Sequence, residues 1–163
     1  MYPPTILAAQ KLAGLLTNNN ALEAQITALV DPLVVPTISP TQVLLSSAAP
    51  DIGDKNVQLT YPRVCLYSSG LKNTHAEKFM SLSGTVSVAT EIWSSGNLVT
   101  DTDRWIHFYV EAVSSIYRQN AGDLGDGFYF SGVYDVQFQP PKAGGLGFSQ
   151  SAKITCVLNI SQA

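Results

Sequence analysis

The most constraining feature of this sequence is a change of period partway along it. Up to about residue 30 the apolar residues recur at helical spacing, and from Gln58 onward they alternate. The clearest alternation runs from Ser81 to Trp93. Leu82, Val86, Val88 and Ile92 share one face there, and Ser81, Ser83, Thr85, Ser87 and Glu91 share the other. A strand of that kind covers a core on one side only, so something must pack against its apolar face and its polar face must meet water or a partner.

The remaining elements follow from the same reading. Pro3 and Pro4 precede Ile6, Ala9, Leu12, Ala13, Leu15 and Leu16, a stripe that predicts a first short helix. Asn18, Asn19 and Asn20 interrupt it. Asn20 with Glu23 has capping-box spacing, and Leu22, Ile26, Leu29 and Val30 predict a second helix that Pro32 ends. From Asp31 to Lys55, Pro32, Pro36, Pro40 and Pro50 exclude a long helix or a central strand. An extended apolar connector is expected there, with a short edge strand near Gln42 to Leu45.

Strands are then expected over Leu59–Tyr67, Ser81–Trp93, Phe128–Gln139 and Ser151–Ile160. A helix is expected at about 102–120, with Asp101 and Asp103 near its start. Its residues Trp105, Phe108, Tyr109, Ala112, Val113 and Ile116 form an apolar stripe. Arg104, His107, Glu111, Ser114, Ser115 and Arg118 lie opposite. The expected fold is a single α+β domain over 1–163, with helices in 1–30, a proline-rich connector over 31–57 and the sheet over 58–163. That sheet is read as mostly antiparallel and four-stranded, two hairpins joined by a helix, with the N-terminal helices packed on it.

Composition narrows the function. Charged residues make up 13% of the chain, about half the usual share for a soluble domain, whereas 45 residues are Ser, Thr, Asn or Gln. A neutral polar surface can be covered by a partner without stranding ions, as in a subunit buried by its neighbours. The net charge is -3 and no segment concentrates Lys or Arg, which argues against electrostatic nucleic-acid binding. No apolar run reaches the ~20 residues of a membrane span, and no signal-peptide pattern opens the chain, so a soluble cytosolic protein is expected.

Candidate chemistry is sparse. Cys65 and Cys156 fall on separate predicted strands without metal-ligand spacing and read as small buried apolar residues. His75 and His107 have no adjacent nucleophile or ligand pattern. Asp123 and Asp126 sit among Gly122, Gly125 and Gly127 after a helix and before a strand, the reverse of a phosphate loop, and they lack the late glutamate of a calcium loop. Turn chemistry accounts for them, and no catalytic residue, cofactor or metal is expected. Two long loops stand out: Ser68–Met80, with Lys72, His75, Lys78 and Phe79, and Pro140–Ser149, with Lys142, Leu146 and Phe148. Apolar residues near loop tips suit contact between subunits, so these seven are the candidate interface residues.

The arrangement from about Thr5 to Ile160 resembles the tail terminator, or tail completion, proteins of long-tailed bacteriophages. The resemblance is carried by the N-terminal helix, the entry strand Tyr61-Pro62-Arg63-Val64-Cys65-Leu66-Tyr67, the strand to Trp93, the helix after Asp101 and the closing strands around Gly132-Val133-Tyr134-Asp135-Val136-Gln137-Phe138. It implies a non-enzymatic homohexameric ring in the virion neck, assembled in the host cytoplasm. Such a ring ends tail-tube polymerisation and joins the tail to the head connector. Its implied partners are the tail tube protein and a connector or stopper protein, with DNA only in passage and no membrane. A head-tail stopper or other neck or tube component is the nearest alternative, and a small ligand-binding domain a more distant one.

Overall fold

The computed structural model describes residues 2–29, 35–45, 61–74, 82–144 and 147–162. Helices α1 (Pro4–Thr17) and α2 (Ala21–Leu29) open the chain. Ala8, Ala9, Leu12, Ala13 and Leu16 form the buried face of α1, and Leu22 and Ile26 that of α2. Between them the asparagines make a tight turn in which Asn19 and Asn20 adopt left-handed backbone, with φ of 56° and 52°. Asn tolerates that region better than most residues, so the triplet serves to reverse the chain.

The chain is α+β, but the expected four-stranded antiparallel sheet is overturned. Among the described residues the sheet has seven strands and is mixed. They are β1 (Val43–Leu44), β2 (Arg63–Asn73), β3 (Leu82–Gly96), β4 (Gly122–Gly125), β5 (Phe128–Phe138), β6 (Lys142–Gly144) and β7 (Gly147–Gln162). Their order is β1-β2-β3-β7-β5-β4, with β6 pairing the start of β7. Of the three added strands, each two to four residues long, β1 falls where a short edge strand is expected near Gln42 to Leu45, whereas β4 and β6 come from glycine-containing segments where alternation is too short to register. β1 also runs parallel to β2, so the sheet is not purely antiparallel.

The four long strands β2, β3, β7 and β5 are antiparallel neighbours. Apolar residues on their common face bury against the helices. Val86, Val88 and Ile92 of β3, Ala152, Ile154, Cys156 and Leu158 of β7, and Phe128 and Phe130 of β5 are fully enclosed. α3 (Val99–Gln119) lies under β3 and β7, α1 lies along β2, and α2 packs on α3. Because α3 is covered on more than one side, Ser114, Ser115 and Tyr117 are buried too, a correction to the polar face expected for the two serines. Tyr117 and Thr90 share a hydrogen bond of 2.8 Å within this layer. Burial raises the Tyr117 phenol above its ordinary value.

Part of the connector is held inside the molecule. Val35 and Ile38 are fully buried, and the Tyr109 hydroxyl donates to Pro36 O at 2.7 Å. Gln42 accepts from the Ser39 N–H at 2.7 Å and donates to Pro62 O at 2.8 Å, which fixes β1 beside the start of β2.

Candidate functional site

The face of the sheet turned away from the helices is polar, as the alternation predicts. Rows across it follow from the pairing register, and one of them reads Cys65, Glu91, Lys153 and Gln137. Tyr67 donates to Glu91 Oε1 at 2.8 Å, and Lys153 Nζ stands 5.9 Å from the Tyr67 ring. Partial burial and the Glu91 carboxylate push the Tyr67 phenol up to about 12. Hydroxyls and amides fill most remaining positions, among them Ser83, Thr85, Ser87, Ser151, Thr155, Asn159 and Ser161.

One group on this face has no counterpart in the sequence reading. Arg63 is 1% exposed, and its guanidinium stands 4.8 Å from the Tyr61 ring and 5.3 Å from the Trp93 ring. Its three nitrogens and Trp93 Nε1 are buried with no hydrogen-bond acceptor among the described residues. Burial pushes the neighbouring Cys65 thiol up, against the opposing pull of the Arg63 charge. Arg63 lies in the predicted entry strand, but no periodicity marks a charged residue there as buried, since alternation assigns a face and not its degree of cover.

Both long edges of the sheet are incompletely paired among the described residues. On one side β1 covers only Val64 and Cys65, so β2 is bare from Leu66 onward. Leu44, Leu45 and Leu71 are 38%, 53% and 49% exposed there. Between this edge and α1 lies a cleft of about 280 Å³ lined by Ile6, Ala9, Leu45, Leu66 and Tyr67. On the other side β4 pairs only Phe128–Phe130, leaving β5 bare from Ser131 to Phe138. A register shift between Phe130 and Tyr134 sets Val133 out into solvent at 71% exposure, and Phe138 stacks on His107 with ring centroids 4.5 Å apart.

Three of the seven candidate interface residues are described, and they do not form one group. His75, Lys78, Phe79 and Leu146 lie outside the described residues. Lys72 belongs to β2 and not to a loop, because that strand runs on to Asn73. Gly84 makes this extension possible: a Cβ there would sit 1.8 Å from Lys72 O, so only glycine permits the approach of β3 to β2 that fixes Lys72 in the ladder. Lys142 is on β6 and Phe148 on β7, paired in one short hairpin instead of an open loop. Lys72 thus joins the β2 edge, and Lys142 and Phe148 stand at one end of the sheet away from it.

Cys65 and Cys156 are both buried and free. Asp123 accepts from the Gly125 N–H at 2.8 Å, and Asp126 and Gly127 turn the chain with φ of 55° and 82°, a turn built from the acids as expected. Lys11 pairs with Asp126 at 2.6 Å. Among the described residues no three His, Cys, Asp or Glu side chains are grouped to hold a metal ion, and no helix is long and apolar enough to cross a membrane. No protein-family model matches the chain, and no curated protein matches it in sequence.

Proposed function

We propose that this chain is a structural virion subunit that forms a ring at the head-proximal end of a phage tail, ending tail-tube polymerisation and joining the tail to the head connector. The observation that carries the reading is that, among the described residues, the sheet ends in two different and incompletely paired edges, one on each side of an enclosed core. A subunit of that shape takes one neighbour on each side through heterologous contacts, and such contacts close into a ring when the rotation per copy divides the circle. The resemblance to tail terminators supplies six as the number of copies, the tube protein and the connector as partners, and the host cytoplasm as the place of assembly. A net charge of -3 suits a channel through which DNA passes without being held.

Removal of the chain from the phage that encodes it tests this reading. The expected result is filled heads without joined tails and tail tubes of uncontrolled length in electron micrographs. Normal virions with tails of normal length contradict it.

A further inference from the structure

The two bare edges match each other row for row. Pairing register carries a row straight across the sheet from one edge to the other, so the height of any edge feature can be read on the opposite side. The row of Val64 passes through Ile92 and Ala152 to Phe138, and the row of Cys65 passes through Glu91 and Lys153 to Gln137. β1, which pairs Val64 and Cys65, therefore projects at the height where β5 is bare. The row of Lys72 passes through Thr85, Asn159 and Tyr129 to Asp123, and the row of Leu71 passes through Val86, Leu158 and Phe130 to Gly122. β4 thus projects at the height where β2 is bare. Among the described residues each edge has one projection and one notch, and the projection of one stands level with the notch of the other.

We infer that the partner of each edge is a second copy of this chain, seated side by side at the same height, so that β1 of one copy fills the notch beside β5 of the next while β4 fills the notch beside β2. The inference rests on the ring reading and names its joint. Three features support the occupant. The charges are complementary, since the same-height placement sets exposed Lys72 opposite exposed Asp123. Both edges expose apolar side chains, Leu44 and Leu45 on the β1 side and Val133 and Phe138 on the β5 side, with Phe138 one row from the height of Leu44. Strand direction is also compatible: the four long strands alternate and are even in number, so β1, which runs with β2, meets β5 antiparallel. A contact made without a step in height gives a flat ring, whereas a step would give an open helix.

Charge exchange between the edges tests the joint. Wild type, Lys72→Glu, Asp123→Lys and the double exchange are compared by native mass spectrometry, alone and with tail-tube subunits of the same phage, with circular dichroism checking that each folds. Wild type is expected as a closed oligomer, alone or on the tube. Each single exchange sets like charges together and weakens assembly about tenfold or more, and the double exchange brings it back to within about threefold of wild type. Wild-type rings with single exchanges that change nothing, or a double exchange that fails to rescue, overturn the joint and leave the ring reading standing. A wild type that stops at a twofold dimer contradicts the heterologous joint. A wild type that is monomeric alone and also with tube subunits removes the ring reading, and the joint with it.

Discussion

The centre of the molecule and its two edges are built on opposite rules. At the centre, β3 and β7 pair along nearly their whole length over α3, and the apolar residues on their helix-facing side, from Val86 to Ile160, are enclosed. At the edges, two short strands cover a few residues of β2 and β5 and leave leucine, valine and phenylalanine side chains in solvent. A lone domain blunts such edges with charge, proline or a covering loop, because a bare edge is a template for another chain. On the proposed reading the edges serve assembly, while the centre supplies the enclosed core.

That contrast predicts effects of different size. Phe130→Ala removes a ring enclosed at the centre, where it packs edge-on to Tyr117 at 6.3 Å, and is expected to cost about 3–5 kcal/mol in urea unfolding. A loss below about 1 kcal/mol would mean that the centre is not the stabilising region. Tyr117→Phe keeps the ring and strands the Thr90 hydroxyl in the buried layer, for a loss of about 1–3 kcal/mol. An unchanged midpoint would show that this hydrogen bond contributes nothing.

Alkaline pH probes the centre without mutation. Burial pushes the Cys156 thiol from its ordinary 9.0 up to about 12. The unfolded chain loses this proton first, so stability is full below pH 9 and falls as pH rises from 9 through about 12. Tyr67, pushed from 10.0 up to about 12, adds to the fall above pH 10. Cys65, also pushed up by burial, contributes from the same pH, so Cys156→Ala should reduce the slope that begins at pH 9 without abolishing it, and an unchanged slope takes Cys156 out of the account. The smallest effect on stability belongs to the edge. Leu45→Lys changes a half-exposed residue and should leave the monomer within about 0.5 kcal/mol of wild type, while abolishing assembly measured by sedimentation. Intact assembly would take the β1 edge out of the contact.

The centre was also the legible part of the sequence. Alternation put Val86, Val88, Ile92, Ile154 and Leu158 on the core face, and helical periodicity located α1, α2 and most of α3. Val99 and Thr100 extend α3 ahead of the expected start, where no cap residue announces them. The edges were legible only in part. β1 lies where a short edge strand is expected near Gln42 to Leu45, but β4 and β6 emerge from glycine-containing segments that read as turns, since so few residues cannot display a period. Lys72 was singled out from a supposed loop, but its place in the β2 ladder and the row that ends at Asp123 depend on long-range register. Arg63 escaped for a related reason: its enclosure by Tyr61 and Trp93 joins residues on two strands.

The central claim, that copies join β1 edge to β5 edge at the same height, is tested most directly by a disulfide placed across the joint. Leu44 and Gln137 lie on the same row at opposite sides of one sheet, four strand spacings or roughly 19 Å apart, too far for a bond within a chain. In the neighbouring-copy contact they face each other directly. The variant carrying both Leu44→Cys and Gln137→Cys, oxidised under assembly conditions and run on a denaturing gel without reductant, should give a ladder of multimers ending at one closed species, with either single variant giving none. Assembled rings that yield only monomer on that gel would contradict the account.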